Sequence, residues 1–401
     1  MLIISNPNAG DKTGSQFLNE HVIPLLTRYA PASIPIEFKE TGAPGDAGVL
    51  ASRYIERIVQ GSIQEQPVIV LSGGDTTIHE VVNGTAGIKQ PASVIVVPSG
   101  TANALYHSLF PPNRRTSFIQ RLPSPIREEV DAMNADVREK LYAVLAFLSG
   151  EELTKKLYST RTKILDAKGE AFKEIVSCVV VSASLHASIL EGAEALRSTH
   201  PGIERFKIAA AQSITQWSDA QLVVEQPYQV YDLQQGVFRT VEPEDADIAE
   251  FPGPFAYFLT TTNVDRLEKD FRITPLATSV PFTDDAGWME VLMIRPQGRP
   301  SQYIGADEDS RKSFAMTTMK VLQAAYNDGS HVAKPQGDHQ GQGVIEYLRV
   351  RGWQWLPVRS AAAAHLICVD GEILRIPPGG RAVVELLSKE DRPELSVYCE
   401  S

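Results

Sequence analysis

The chain has 401 residues, room for two domains with sizeable cores, and an ordinary globular composition of 43% hydrophobic and 22% charged residues. A formal net charge of −11 excludes nucleic acid as an expected partner and gives no general attraction to anionic membranes. Cys178, Cys368 and Cys399 are few, odd in number and far apart, which excludes a disulfide framework and a cysteine metal site.

Residues 2–5 read as a first strand directly after Met1, without the charged and apolar stretches of a signal peptide. Asn6-Pro7-Asn8-Ala9-Gly10-Asp11-Lys12-Thr13-Gly14 follows as a glycine-bearing loop and opens an amphipathic helix over about 15–29. A second strand, 34–38, leads through Thr41-Gly42-Ala43-Pro44-Gly45-Asp46 into a helix over 47–60, with Asp46 as its N-cap and Leu50, Tyr54 and Ile58 on one face. Residues 68–71 form a short β-branched run, a buried strand. Ser72-Gly73-Gly74 breaks it, Asp75 follows, and Thr76 and Thr77 are placed to cap a helix through 78–82. Residues 93–97 repeat the pattern: Pro98-Ser99-Gly100-Thr101 turns the chain into a helix near Ala102, with Asn103 in its first turn. Two consecutive strands that end in glycine turns and open helices set free N–H groups, a favourable dipole and a carboxylate at one sheet edge. That is a place to hold phosphate.

Residues 111–135, rich in Pro and Arg, read as a linker, followed by a helix near 136–149 that Gly150 ends. From there the pattern is β-like, with runs at 157–165, 175–183, 221–224, 255–262, 288–294 and 344–350 and helical inserts near 189–215 and 308–326. The acidic stretch 225–252 and the Gly/Gln/His stretch 329–343 read as solvated loops without chemistry. No apolar run reaches the 18 residues of a membrane span.

The stretch SGGDTTIHEVVNG followed by VPSGTANAL resembles the catalytic domain of the diacylglycerol kinase and sphingosine kinase family, which carries GGDGT, HEVVNG and then GTGNAL. Asn6, Pro7, Gly10 and Gly14 are similar to the family's NPxxGxxxG, and Thr41 and Ala47 fit a further stretch in which Gly42 replaces an acidic residue. The resemblance continues more loosely. Phe255 to Asn263 with Pro275, the turn around Asp284 and Asp285, Gly329-Ser330-His331, Val369-Asp370-Gly371-Glu372, Glu194 with Arg197, and Arg205-Phe206 all have family counterparts.

The resemblance implies an α/β N-terminal domain with a Rossmann-like or phosphofructokinase-like parallel sheet, then a mainly antiparallel β-sandwich domain. The expected division is a nucleotide-binding domain over 1–125, a linker and helix over 126–152, a lipid-substrate domain over 153–385, and a tail over 386–401 for which packing back on the first domain stays open. It implies ATP and Mg²⁺ as cofactors and transfer of the γ-phosphate to the primary hydroxyl of a sphingoid base or diacylglycerol. The setting would be cytoplasmic, with peripheral access to membranes. The nucleotide would be held by Asn6, Gly10, Thr41, Gly73, Gly74, Thr76, Thr77, Gly100, Thr101 and Asn103, with Arg197 and Arg205 as phosphate clamps and Glu372 on its polar groups. Asp370 would face Mg²⁺. Asp75 is the first choice for the general base and Asp285 the second. Leu185, Ile189, Leu190 and Glu191 would line the lipid pocket, where no Asp stands to meet an amine. Thr76 and Ala102 occupy family glycine positions, so the alternatives are a catalytically weak or inactive lipid- or nucleotide-binding relative, and a kinase of a soluble acceptor such as NAD.

Overall fold

The structure, a computed structural model, describes residues 1–400 apart from 33, 62–65, 113–116, 201, 243–247, 280–286, 297–306, 334–343 and 359–361. It divides into two compact units, Met1–Leu157 with Glu390–Ser401, and Tyr158–Lys389.

The first unit is a six-stranded sheet in the order Glu37–Glu40, Leu2–Ser5, Val68–Gly73, Ala92–Pro98, Leu395–Tyr398, Thr154–Lys156. All pairs are parallel except the last, Leu395–Tyr398 with Thr154–Lys156. The apolar runs expected as buried strands are fully buried, as parallel strands covered on both faces must be. The chain leaves Leu2–Ser5 toward one side of the sheet and Val68–Gly73 toward the other. Between these two neighbours lies the switch point at which open α/β sheets take their ligands. The helix expected over 15–29 runs from Gly14 to Tyr29 with a π segment at Leu18–Val22. Pro24 explains it: a proline has no N–H to give back along the helix and its ring crowds the carbonyl four residues earlier.

Two expectations fail in this unit. The stretch 111–135 is no linker: Ser117–Arg121 is a 3₁₀ turn and Ser124–Asp131 a helix whose Ile126 and Val130 are buried. The single helix near 136–149 is two, Ala135–Lys140 and Tyr142–Leu148, and the second packs against Ala92–Pro98 and Leu395–Tyr398.

The second unit has two antiparallel sheets. The eight-stranded one runs Val237–Val241, Tyr228–Asp232, Ile345–Val350, Met289–Ile294, Tyr257–Thr261, Val180–Ala183, Leu366–Val369, Glu372–Arg375. The six-stranded one runs Ile248–Pro252, Ala220–Glu225, Gly352–Pro357, Arg381–Leu386, Thr160–Leu165, Ala171–Ser177. Their facing sides share one core, in which Phe258 sits 5.0 Å from the rings of both Trp353 and Trp355. The stretch 225–252 is not a solvated loop: it supplies two edge strands, Val237–Val241 and Ile248–Pro252, and the strand Tyr228–Asp232 next to the first of them. Their mostly half-exposed, polar faces are what edge strands show, and they hid the β pattern. Of its acidic cluster, Glu242 is described and Glu244, Asp245 and Asp247 lie outside the described residues.

Asp370 and Gly371 join Leu366–Val369 to Glu372–Arg375 as a two-residue hairpin, both with positive φ, the type I′ geometry that Asp-Gly favours. The Asp370 carboxylate turns inward and accepts the N–H groups of Cys178, Val179 and Val180 at 2.8, 2.9 and 2.7 Å, at 3% exposure. Beside it, Asn263 accepts the Tyr158 N–H and donates to the carbonyls of Tyr158 and Cys178. Together they clamp the entry into the sandwich. Asp370→Ala strands three donors at about 1–3 kcal/mol each, partly offset by water entering the vacated space, so a loss of about 2–3 kcal/mol is expected in denaturant melts. A melt unchanged from wild type would remove the clamp from the stability of this unit.

Candidate functional site

The site assembles where four strands of the first unit's parallel sheet end. Asn6, first in the loop after Leu2–Ser5, donates its N–H to the Ser72 carbonyl and its side-chain amide to the Thr77 hydroxyl at 3.1 Å. Gly10 crosses directly over the next turn: a Cβ there would lie 2.3 Å from the Ser99 carbonyl oxygen. Thr41 is buried, and its N–H bonds the Ser5 carbonyl. The expected N-cap Asp46 instead opens the helix Asp46–Gln60 behind Gly45, and its carboxylate accepts the N–H groups of Gly42 and Ala43, both at 2.8 Å.

The two central turns touch through their backbones. A Cβ on Gly100 would lie 2.4 Å from the Gly74 Cα, and one on Gly74 would lie 3.0 Å from the Gly100 Cα. Asn103, left-handed at φ 54°, clips its own turn shut: Oδ1 accepts the Gly100 N–H and Nδ2 donates to the Gly100 carbonyl, each at 2.9 Å. The helix therefore starts at Ala104, two residues later than expected. Asp75 opens the helix Asp75–Gly84 and reaches across to this neighbour: its carboxylate accepts the Ala104 and Leu105 N–H groups at 2.8 and 3.0 Å. One carboxylate thus fixes the start of the next helix and draws both helix N-termini to the same spot. The first turn of Asp75–Gly84 presents N–H groups with no acceptor four residues back.

Thr76 and Ala102, at the family's glycine positions, both lie outside the left-handed region, and Thr76 is exposed in the first helical turn. The local backbone does not need glycine at either place. Thr76→Gly is accordingly expected to lower stability by roughly 0.5–1 kcal/mol and to leave turnover no higher than wild type. Thermal melts and phosphoryl-transfer assays check it; a gain in turnover would show that the Thr76 side chain obstructs the site.

The segment after GGD works as packing. Glu80 accepts the Ala47 N–H at 3.2 Å, Asn83 bonds the carbonyl and ring of His79, and a Cβ on Gly84 would lie 2.4 Å from the backbone of Gly48. Glu80 and Gly84 lock the helix Asp75–Gly84 onto Asp46–Gln60, while Asn83 ties back within its own helix, and so the turn is held in place. Two hydroxyl pairs the sequence reading missed tie strand ends to their neighbours, Ser72 with Ser99 of the next turn at 2.8 Å and Ser5 with Ser15 of the first helix at 2.9 Å. Gly14, which opens the first helix, is the signal for the first pair: a Cβ there would meet the Ser72 and Ser99 side chains at 3.0 Å.

Asn6, Gly10, Thr41, Gly73, Gly74, Asp75, Thr76, Thr77, Gly100, Thr101 and Asn103 thus belong to one set of loops. The remaining candidates lie in the second unit. Arg197 follows the helix Ser184–Ala195 and pairs with Glu194 at 3.0 Å, and Arg205 stacks its guanidinium 4.8 Å from the Phe206 ring centre. Glu372 pairs with Lys173 at 3.3 Å. Asp370, expected to face Mg²⁺, is a correction: its carboxylate is buried and engaged by three backbone N–H groups. Leu185 is buried and Ile189 half-buried, while Leu190 packs on Ala187, Leu366 and Cys368 as core rather than pocket. Glu191 accepts from Arg375. Asp285 lies outside the described residues. Among the described residues no group of three or more His, Cys, Asp or Glu is placed to hold a metal, and no helix is long and apolar enough to cross a membrane.

Residues 1–135 match the model of the diacylglycerol kinase catalytic domain, the family that the motifs resemble. Among curated proteins, a diacylglycerol kinase of Staphylococcus saprophyticus is 28% identical over 42% of this chain and 50% of its own length. A diacylglycerol kinase of Bacillus subtilis is 30% identical over 27% of this chain and 32% of its own length. The chain thus spans half or less of the length of these two relatives. Two solved structures from Bacillus anthracis str. Sterne align over 99% of this chain and 96% of theirs, at 13% identity and TM-scores of 0.54 and 0.53, which shows the two-unit α/β and β-sandwich fold.

Proposed function

From a chain whose first 135 residues match the model of the diacylglycerol kinase catalytic domain, we propose an ATP-dependent lipid kinase that phosphorylates the primary hydroxyl of diacylglycerol. The observation that supports it is the backbone contact between Gly74 and Gly100 under Gly10 at the sheet's switch point. Three glycine-bearing turns meet there through their backbones, so no Cβ stands between an incoming phosphate and the turn at Gly73–Thr77 with the N-terminus of the helix Asp75–Gly84; the Ala104 and Leu105 N–H groups are already taken by Asp75. Phosphoryl transfer asks little covalent chemistry of a protein; positioning and charge compensation dominate. In this reading Gly73–Thr77 and Gly100–Asn103 cradle the phosphates, Asn6 and Thr77 fix the loops, and the Asp75 carboxylate orients or deprotonates the acceptor hydroxyl.

Diacylglycerol is favoured over a sphingoid base because the curated relatives are diacylglycerol kinases and because 184–190 carries no carboxylate for an ammonium. Mg²⁺ would neutralise phosphate charge, but Asp370 does not fit as its ligand. A non-catalytic relative stays as the second reading; the ordinary φ at Thr76 and Ala102 removes the strain that motivated it. Transfer of radiolabelled phosphate from ATP to diacylglycerol, sphingosine and NAD in mixed micelles decides between them. Labelled phosphatidate is expected. No product from any acceptor, with ATP still bound, would favour the non-catalytic reading.

A further inference from the structure

In the first unit the strand Glu37–Glu40 pairs in parallel with Leu2–Ser5, so both end at the same sheet edge. Three carboxylates stand at or just past these two strand ends, and two of them are committed to their own loops. Asp11 accepts the N–H and the hydroxyl of Thr13 at 3.1 and 2.6 Å, and Asp46 accepts the Gly42 and Ala43 N–H groups. Glu40 is held differently. The Ser15 hydroxyl donates to its Oε1 at 2.8 Å, and Ser15 lies 2.9 Å from the Ser5 hydroxyl. A hydroxyl has a single hydrogen to give. Ser15 gives its own to Glu40, so Ser5 donates to Ser15, and the chain runs one way from the strand end to the carboxylate. Ser5 is fully buried and its carbonyl accepts the Thr41 N–H at 2.9 Å, which fixes the root of the chain. The tip is open. Glu40 is exposed, and among the described residues no Lys or Arg pairs with it, whereas Glu37 of the same strand takes Lys39 and Arg57.

We infer that Glu40 accepts the ribose hydroxyls of the nucleotide whose phosphates lie over Gly74 and Gly100, and so selects a ribonucleotide over one that lacks them. This rests on the ATP-dependent kinase reading and assigns the group that reads the sugar. In doubly wound sheets whose first glycine turn faces a pyrophosphate, an acid further along the chain takes a ribose hydroxyl. Here the glycine loop 6–14 follows Leu2–Ser5, and the next strand ends in Glu40. An ionised carboxylate only accepts hydrogen bonds, and both ribose hydroxyls can donate. Charge agrees with the placement. A carboxylate repels phosphate, and Glu40 ends the edge strand, two strands from Val68–Gly73 and three from Ala92–Pro98, whose turns form the cradle. At the usual strand spacing that is roughly 10–14 Å, far enough for the sugar end of the nucleotide rather than its terminal phosphates to meet the carboxylate.

The test is calorimetric binding of ATP and of 2′,3′-dideoxy-ATP, each with Mg²⁺, to the full chain for wild type, Glu40→Ala and Ser15→Ala. Wild type should bind ATP about 10-fold more tightly than the dideoxy analogue, the usual worth of a hydrogen bond to a charged group. Glu40→Ala should weaken ATP by the same factor and leave dideoxy-ATP as it was, so that the preference disappears. Ser15 is a positioning residue: Ser15→Ala lets the carboxylate swing and should reduce the preference about 2–4-fold, again with dideoxy-ATP unchanged. A merely structural role for Ser15 would weaken both nucleotides alike. Equal binding of the two by wild type, or a preference that survives Glu40→Ala, overturns the inference and leaves the phosphate cradle standing. Binding of neither nucleotide by wild type overturns the inference together with the kinase reading. A preference lost in Glu40→Ala, with no phosphate transferred to any lipid, would sink the kinase reading and keep the ribose site.

Discussion

Asp75→Asn is expected to lower phosphoryl transfer to diacylglycerol by about 10²–10⁴-fold, the usual loss when a general base is removed. The substitution keeps the size of the side chain but changes what its two oxygens do. One currently accepts the Ala104 N–H and the other the Leu105 N–H. Asn retains one acceptor and turns an NH₂ toward the other donor, so about 1 kcal/mol of stability should go as well. Melting and turnover measured on the same preparation separate the two roles. If turnover stays within a few-fold of wild type while the melt drops, Asp75 only starts the neighbouring helix, and Asp285 becomes the candidate base.

Gly100→Ala should be as damaging by a different route. Its new Cβ would stand 2.4 Å from the Gly74 Cα and 2.9 Å from Asn103 Oδ1. The first neighbour is backbone and cannot rotate away, so the two turns must part. We expect about 1–3 kcal/mol of destabilisation from the overpacking and, because the phosphate cradle is the gap being pushed open, a loss of ATP affinity of at least about 10²-fold by calorimetry. Gly87→Ala, where a Cβ meets nothing within 4 Å, is the control for glycine replacement away from the site, with strain from its positive φ but no clash. ATP bound as tightly by Gly100→Ala as by wild type would place the nucleotide elsewhere.

Much of the first unit was legible because parallel strands are buried on both sides and read as unbroken apolar runs, and because each run ends in glycine. The sequence alone therefore places Asn6, Gly10, Gly74, Asp75 and Gly100 at one sheet edge. What Asp75 touches was not legible, since its partners are backbone N–H groups 29 and 30 residues away. Asp370 shows the same limit more sharply. The sequence marks a carboxylate beside glycine, which suits a metal ligand and a hairpin turn equally; only the fold brings the Cys178–Val180 backbone, 190 to 192 residues away, under its oxygens. The strands within 225–252 escaped because an edge strand with a polar outer face carries little hydrophobic alternation.

The strand Leu395–Tyr398 lies between Ala92–Pro98 and Thr154–Lys156 in the first sheet, and this sets an order on synthesis. Ala92–Pro98 leaves the ribosome roughly 300 residues before its parallel neighbour, about 15–60 s earlier at typical elongation rates. The sandwich, continuous in sequence, can fold during that interval, while the first sheet waits with an apolar inner strand open on one side, the arrangement most prone to pairing with another chain. Nascent chains halted before residue 390 should then bind chaperones through 92–98 and be cut there by proteases, and emergence of Leu395–Tyr398 should end both.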